Sequence, residues 1–279
     1  MKPESAAFVL AELRDHDRDR YYATLLLPAG ARAAVAALYA FNADIASVRD
    51  RAREPAAGEI RLQWWVDALA GQGHGNVRQN PLAEALLDAI SEYGLPTSPL
   101  TRLIAARRFD LYQDPMPDTA TFEGYAGETT SALYQLAAMI LNGGGPIETG
   151  DAAGHLGVAH ALIGHLRAFG YNASQNRIFL PWDVFETCGV DEKDVLAGVG
   201  SEGIAIALAR LAEMAAEHIA KARAAISHLP RPLRAVFAPI ALLEPQARRL
   251  DFEHPFGGPA DLADWQKIAR LAWWKMRSA

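Results

Sequence analysis

One stretch leaves the chain little choice of fold. Between Ile204 and Ile226, the residues Ile204, Leu208, Leu211, Ala215, His218, Ala222 and Ile226 recur at steps of three and four. On a helix that spacing draws one continuous stripe. On a strand, whose side chains alternate between two faces, the same residues would scatter. A stripe this long needs other apolar helices to cover it, and the rest of the chain offers them. Val35, Leu38, Ile45 and Val48 recur at helical spacing, with alanines at the remaining inward positions. The punctuation is also helical. Asn80 before Pro81 reads as an N-cap before a proline at the first helical position, and Ser98 before Pro99 reads the same way. Gly94, followed by Leu95-Pro96, reads as a helix stop. Strand alternation is lacking: "NRIFLPW" is too short and too close to a proline. The expectation is an all-α chain of about nine to eleven helices.

Polar, glycine-containing connections lie near residues 71–79, 143–149 and 171–177. None is long enough to be a flexible linker between domains, and no internal repeat is visible. The chain therefore reads as one domain over 1–279, with an N-terminal extension at 1–14 and an amphipathic helix at 260–277. Of its 279 residues 51% are apolar, enough for a substantial core. The net charge of −6 argues against a general nucleic-acid binder, which would show a basic footprint. The single cysteine, Cys188, has no partner for an internal disulfide, which suits a reducing compartment. The N-terminal stretch "MKPESAAFVLAELRDHDRDR" lacks the apolar run of a signal peptide, and its acids count against a transit peptide. No window approaches the roughly 20 apolar residues of a membrane span. A cytoplasmic protein is expected.

Several stretches together resemble the squalene/phytoene synthase family. They are "LLLPAGARAAVAALYAF", "LQWWVDALAG", "FDLYQ", "YAGETTSALYQLAAMIL", "LGVAHALIGHLRAF" and "NRIFLP", in the family's order and through almost the whole chain. The resemblance implies an all-α isoprenoid-synthase bundle around a central cavity. In active members two prenyl diphosphates are joined head to head. Two facing helices each carry an Asp-x-x-x-Asp pattern that binds magnesium bridged to diphosphate. Residues four apart share a helix face, so both carboxylates reach the cavity. Magnesium takes oxygen ligands and keeps several waters, so a few carboxylates and the substrate phosphates suffice.

Carried over residue by residue, the pattern is largely missing. The first motif falls on Ala46, Ser47 and Asp50, of which only the last is a carboxylate. Asp44 lies about 120° around the helix from Asp50 and cannot stand in for the missing ligand. The second motif, after Leu166-Arg167, falls on Ala168 and Asn172, and both carboxylates are gone. Asn172 could offer an amide oxygen but no charge. The family's Ser-Phe pair falls on Asp19-Arg20, which puts an aspartate where a phosphate would be repelled. Asp110 in "FDLY" and Arg177 before "IFLP" are retained, and the tyrosine that usually follows that arginine is Phe179. Each retained residue also has a structural reading: Arg177 pairing a carboxylate at a helix end, Asp110 capping or bridging helices.

These departures resemble one branch of the family, whose members serve in the assembly of respiratory complex I. "AFN" with an acid two positions on, "LRAFGYN", and the tail "RLDFEHPF" followed by a Trp-rich helix all suit that branch. The resemblance implies a catalytically inactive protein that needs no cofactor. Its partners would be complex I subunits or assembly intermediates, and its cavity would be free for a lipid or isoprenoid. The alternative is a working prenyl transferase that uses magnesium. It would handle diphosphate through Asp50, Asp110, Arg177 and overlooked acids such as Glu128.

His155, His160 and His165 are spaced by five, about 140° apart on a helix, and so share no face for a metal. His218 lies in the apolar stripe and reads as a hydrogen-bonded core residue. "NGGGP" at 142–146 lacks the flanking strand and lysine of a phosphate loop and reads as a turn. In the last helix, Trp265, Ile268, Ala272, Trp273 and Met276 form an apolar face, while Lys267, Arg270, Trp274 and Arg277 lie toward the other side. Two readings stay open. A tryptophan among cations suits peripheral contact with the inner face of a membrane. Alternatively, the apolar face closes the bundle and Arg270 stacks on Trp274.

Overall fold

The computed structural model describes residues 1–73 and 75–278, the side chain of Ser278 excepted. Among the described residues every regular element is helical. The first half holds α1 (Pro3–His16), α2 (Arg18–Thr24), α3 (Ala29–Arg51), α4 (Pro55–Leu69), α5 (Pro81–Tyr93), α6 (Ser98–Arg107), α7 (Thr119–Ala126) and α8 (Ala132–Leu141). The second holds α9 (Asp151–Arg167), α10 (Phe169–Ser174), α11 (Trp182–Glu186), α12 (Glu192–Leu196), α13 (Glu202–His228), α14 (Arg231–Arg234), α15 (Ile240–Ala247) and α16 (Asp264–Ser278). Sixteen exceeds the expected nine to eleven: nine of them reach ten residues, and the rest are one- or two-turn pieces between them.

α3 is the axial element. From Ala34 to Asn42 every residue is buried, so this helix is apolar all round and lies inside the bundle. Its alanines let neighbours approach closely, and its last turn emerges at Arg49, Asp50 and Arg51. α13 carries the stripe anticipated from sequence: all seven of its residues are buried, along with Ala207 and Ile219. Its main partner is α9, which presents Leu156, Ala159, Leu162, Ile163 and Leu166. Each large side chain sealed in this way contributes about 1.5–3 kcal/mol. On the other side of α9, Gly157 meets a single π-helical turn at Gly127–Ser131. A Cβ on Gly157 would stand 2.6 Å from the Ser131 backbone nitrogen, so only glycine permits this approach.

The caps follow the sequence with one exception. Asn80 accepts hydrogen bonds from the Leu82 and Ala83 amides, and Gly94 closes α5 in the left-handed region at φ 58°. Ser98 is not a cap. Thr97 holds that position without a side-chain bond, and Ser98 and Pro99 are the first two residues of α6. Residues 1–14, read as an extension, form most of α1, whose Val9 and Leu13 are fully buried where it lies against α3 and α5.

The last helix needs the larger correction. Its apolar face does not close the bundle: Trp265, Ile268, Trp273 and Met276 are all exposed. The inward edge is Lys267, Leu271 and Trp274. Lys267, expected among the outward cations, is buried between Asp19 at 2.7 Å and Asp261 at 2.6 Å. Two carboxylates repay its desolvation, so the charge works as an anchor. Burial alone would lower the pKa of Lys267, but Asp19 and Asp261 outweigh it and hold the amine above its usual range. Trp274 packs against both apolar clusters. Of the four residues read as a membrane contact, only Arg270 and Arg277 face water.

Candidate functional site

The retained residues meet where α3 ends. Asp50 and Arg49 stand on its last turn. The short turn Arg108–Leu111 delivers Asp110, α7 delivers Tyr125, α9 delivers His165, and the extended "NRIFLP" segment brings Arg177 and Phe179. Arg177 donates to the Asp50 carboxylate at 3.2 Å and to the Arg49 carbonyl oxygen at 3.0 Å, and so caps the exposed end of α3. The Arg49 guanidinium lies 3.6 Å from the same aspartate and 4.6 Å over the Phe179 ring. Phe179 takes the place of the family's tyrosine, and its ring is a seat for this cation.

Asp110 is committed more deeply. It is buried, accepts from Arg107 at 3.0 Å and from the Tyr125 hydroxyl at 2.7 Å, and Arg107 also donates to that hydroxyl at 2.6 Å. Burial pushes the Tyr125 phenol well above its usual value, the Arg107 charge pulling the other way. Burial would lower Arg107, but Tyr125 and Asp110 together hold it above the ordinary arginine range. His165 lies among the rings of Phe122, Tyr125 and Phe179. Burial, with the charges of Arg49 and Arg107 added, pushes it well below the usual histidine range, so it is neutral at pH 7.

The cluster holds Arg49, Arg107 and Arg177 against Asp50 and Asp110, a local excess of one positive charge. Arg49 keeps Nε and Nη1, and Arg107 keeps Nε, buried without a hydrogen-bond partner among the described residues. Spare donors beside committed carboxylates suit an anion and repel a divalent cation. A cavity of about 580 Å³ opens alongside, walled by Arg49, Arg53 and Arg177, by Glu54, Asp114 and Glu192, and by Tyr112.

Magnesium fails the test of the donor set. Its hard oxygen ligands would have to come from Asp50 and Asp110, and each is already paired with arginine. Ala46 and Ala168 offer no side-chain oxygen, and the Ser47 hydroxyl donates to the Asp44 carbonyl at 2.8 Å. Asp44 itself accepts from Trp65 Nε1 and Arg51. Among the described residues no three His, Cys, Asp or Glu side chains converge as a metal site. Glu128, the acid held in reserve, pairs with Arg102 at 2.9 Å, both side chains being well exposed.

The second motif has become a packing junction. α9 stops at Ala168 and the chain restarts as α10; the Asn172 amide still donates to the Ala168 carbonyl at 2.8 Å. Between them, Gly170 lies against the Phe256 main chain so closely that a Cβ would sit 2.2 Å from its carbonyl oxygen. The Phe256 ring meets Phe169 at 5.2 Å. Arg167, just before the motif, donates to Asp261 at 2.8 Å. The tail "DFEHPFGGPAD" is therefore seated on the segment where the family's resemblance places carboxylates.

The Asp19-Arg20 pair behaves differently from its sequence reading. Asp19 is held by Lys267 and by Gln246, so its charge is spent on docking α16. Arg20 is buried, bonds Asp17 at 2.9 Å and lies 5.3 Å from the Tyr39 ring centroid. Burial raises the Tyr39 phenol to about 12. The histidines separate as the spacing implies. His160 bonds the Tyr134 hydroxyl at 2.7 Å, His165 is in the cluster above, and His155 meets His218 at 3.1 Å, with Glu123 3.4 Å beyond. Sequence reasoning missed Arg49, Arg107 and Tyr125, and weighed His165 only as a metal ligand. Arg49 and Arg107 carried one signal, a charge one or three positions from a retained aspartate; nothing local marked Tyr125, and the aromatic seat was invisible.

Comparison with known proteins gives the context for this cluster. The family model described as squalene/phytoene synthase matches residues 13–255. A protein of Rattus norvegicus named NADH dehydrogenase (ubiquinone) complex I, assembly factor 6 is 31% identical over 258 residues, covering 91% of this chain and 77% of its own. The protein of the same name in Homo sapiens is 30% identical over 253 residues, covering 89% and 76%. Among solved structures, a dehydrosqualene synthase in complex with ligand superposes with a TM-score of 0.81 at 18% identity, covering 98% of this chain and 96% of that one. The likeness in three dimensions carries the isoprenoid-synthase fold alone.

Proposed function

We propose that this chain, which belongs to the squalene/phytoene synthase family, keeps the fold without metal-dependent ionisation of prenyl diphosphates and assists the assembly of respiratory complex I. The observation that carries the first half is the commitment of both retained carboxylates: Asp50 to Arg177 and Arg49, Asp110 to Arg107 and Tyr125. Four motif positions, Ala46, Ser47, Ala168 and Asn172, supply no carboxylate at all. A leaving diphosphate carries several negative charges, and without cations gripped by carboxylates the barrier to its departure stays high. The second half is supported by the names of relatives at 30–31% identity that cover most of the chain. Its partners would be complex I subunits or assembly intermediates. Among the described residues no helix is long and apolar enough to cross a membrane.

The cluster at the end of α3 is then a site for an anionic group. Arg49 and Arg177, which wall the adjoining cavity, would receive the polar end of a lipid or isoprenoid there. A second reading, an active prenyl transferase, is favoured by one fact: Asp50, Asp110 and Arg177 still gather in one place. It requires three arginines to do the work of the metal cluster.

Two assays separate these readings. Purified protein is incubated with farnesyl or geranylgeranyl diphosphate, magnesium and NADPH, and pyrophosphate is measured. No release above background is expected, and steady turnover would establish the second reading. Deletion of the gene is expected to lower NADH-driven quinone reduction and leave terpenoids unchanged. A deletion that removes terpenoids and spares quinone reduction would refute the first.

A further inference from the structure

The surface of α16 holds a feature that the arginine–aspartate cluster at the end of α3 does not explain. Taking about 100° per residue, Trp265, Ile268, Ala272, Trp273 and Met276 fall within an arc of about 140°. That arc points to water: Trp265 is 70% exposed, Ile268 50%, Trp273 60% and Met276 69%. The helix is held to the protein by its opposite edge, through Lys267, Leu271 and Trp274. Cations border the arc on both sides, Arg270 and Arg277 along one edge and Lys275 along the other. Tryptophan, with its apolar ring and polar N–H, is the side chain best suited to the boundary between water and hydrocarbon.

The Arg270 edge runs into a pocket of about 500 Å³ between α13, α15 and α16. Arg223, Arg234, Arg248, Arg270 and Arg277 line it, and among the described residues Glu244 is the one carboxylate in its walls. Glu244 is shared by Arg223 at 3.1 Å and Arg248 at 2.5 Å. Five guanidiniums against one carboxylate leave the walls strongly positive on a chain whose net charge is −6. Trp273 stands on the rim, 5.7 Å from the Arg277 guanidinium. Arginine binds phosphate oxygens in pairs, so an anionic headgroup fits this wall chemistry.

We propose that α16 is an interfacial helix that seats the protein on an anionic phospholipid bilayer. Its Trp265–Met276 arc enters the headgroup boundary, and the arginine pocket beside it receives a lipid phosphate. A protein partner would not need cations on both edges of the arc together with an arginine-lined recess. An anionic bilayer matches both, because apolar insertion and attraction to charged headgroups reinforce each other.

The full chain is sedimented with vesicles of phosphatidylcholine alone and with vesicles containing about 30 mol% phosphatidylglycerol, at low salt. Binding to the anionic vesicles, release as salt is raised toward about 1 M, and a blue shift of tryptophan emission are expected. R270Q/R277Q should weaken partition roughly 25-fold, at about fivefold for each cation removed. W265S/W273S should weaken it roughly tenfold or more. All four side chains are exposed, so both variants should keep the wild-type circular dichroism spectrum and melting temperature. Equal binding to both vesicle types, or binding untouched by either double variant, would overturn the proposal. So would indifference to vesicles with stabilisation by inorganic phosphate alone, which would make the pocket a site for a soluble anion. Failure of the complex I reading would leave this vesicle result unchanged.

Discussion

Replacing Gly170 by alanine should destabilise the protein, although alanine favours a helix. The new Cβ would stand 2.2 Å from the Phe256 carbonyl oxygen and 2.7 Å from both the carbonyl carbon and Cα. Ordinary contact needs roughly 3.5 Å, so the two main chains would have to part by about 1 Å. All the clashing atoms are backbone, so no side-chain rotation relieves the contact. Phe256 would be drawn off Phe169, and the tail that delivers Asp261 to Arg167 and Lys267 would shift with it. Overpacking of this kind costs about 1–3 kcal/mol. The gain in helix propensity returns about 0.5–1 kcal/mol. The net is a loss of up to about 2.5 kcal/mol, centred on about 1 kcal/mol, or roughly 2–4 °C in Tm at that centre for a chain of this size. Gly124 is the internal control, since a Cβ there meets nothing within 4 Å. Gly124→Ala should therefore raise stability by about 0.5–1 kcal/mol. Urea unfolding of wild type and both variants measures the two shifts. If Gly170→Ala is as stable as Gly124→Ala, the tail is not seated on α10, and the account of the second motif as a packing junction fails.

Acid should weaken the fold before the carboxylates titrate. Burial pushes His160 and His165 well below the usual histidine range, with Arg20 and Arg167 adding to the effect on His160, and Arg49 and Arg107 to that on His165. Both are neutral in the fold, whereas the unfolded chain takes up protons below about pH 6.5. Their contribution is complete above that pH and is lost as pH falls toward the depressed folded values. The slope is about 1.4 kcal/mol per pH unit for each histidine. Burial and the neighbouring His155 also lower His218. Unfolding midpoints between pH 7 and 5 should fall accordingly, and the slope should drop by one histidine's share in His165→Gln; a flat profile would show that these histidines are not held neutral. Asp110→Asn should cost about 3 kcal/mol by leaving Arg107 buried without its counter-charge. Denaturant unfolding measures it, and a loss under about 1 kcal/mol would mean that water or a mobile Arg107 already screens the pair.

What the sequence carried well was whatever depends on neighbours along the chain. The stripe on α13, the Asn80 cap and the Gly94 stop each follow from local periodicity or backbone conformation, and each stands in the structure. The missing motif carboxylates were legible only through the family resemblance, which says where they would stand. Contacts between distant segments were not legible. Which edge of α16 turns inward was decided by Asp19, well over two hundred positions earlier, and by Asp261 in the tail. With both carboxylates waiting, Lys267 could be buried while two tryptophans faced water, and hydrophobicity alone suggests the reverse. Gly170 looked unremarkable until Phe256 was found against it. Nothing beside Arg49 or Arg107 along the chain announces the rings of Phe179 and Tyr125 that their guanidiniums lie against.

The proposed loss of metal chemistry rests on arginines holding the two surviving aspartates, and manganese reports on that directly. Manganese is titrated into the protein with a non-ionisable farnesyl thiodiphosphate, and bound and free ion are distinguished by electron paramagnetic resonance. The expected result is a signal equal to that of the ligand and metal without protein. Two or more manganese ions retained per chain, and released on Asp50→Asn, would contradict the account.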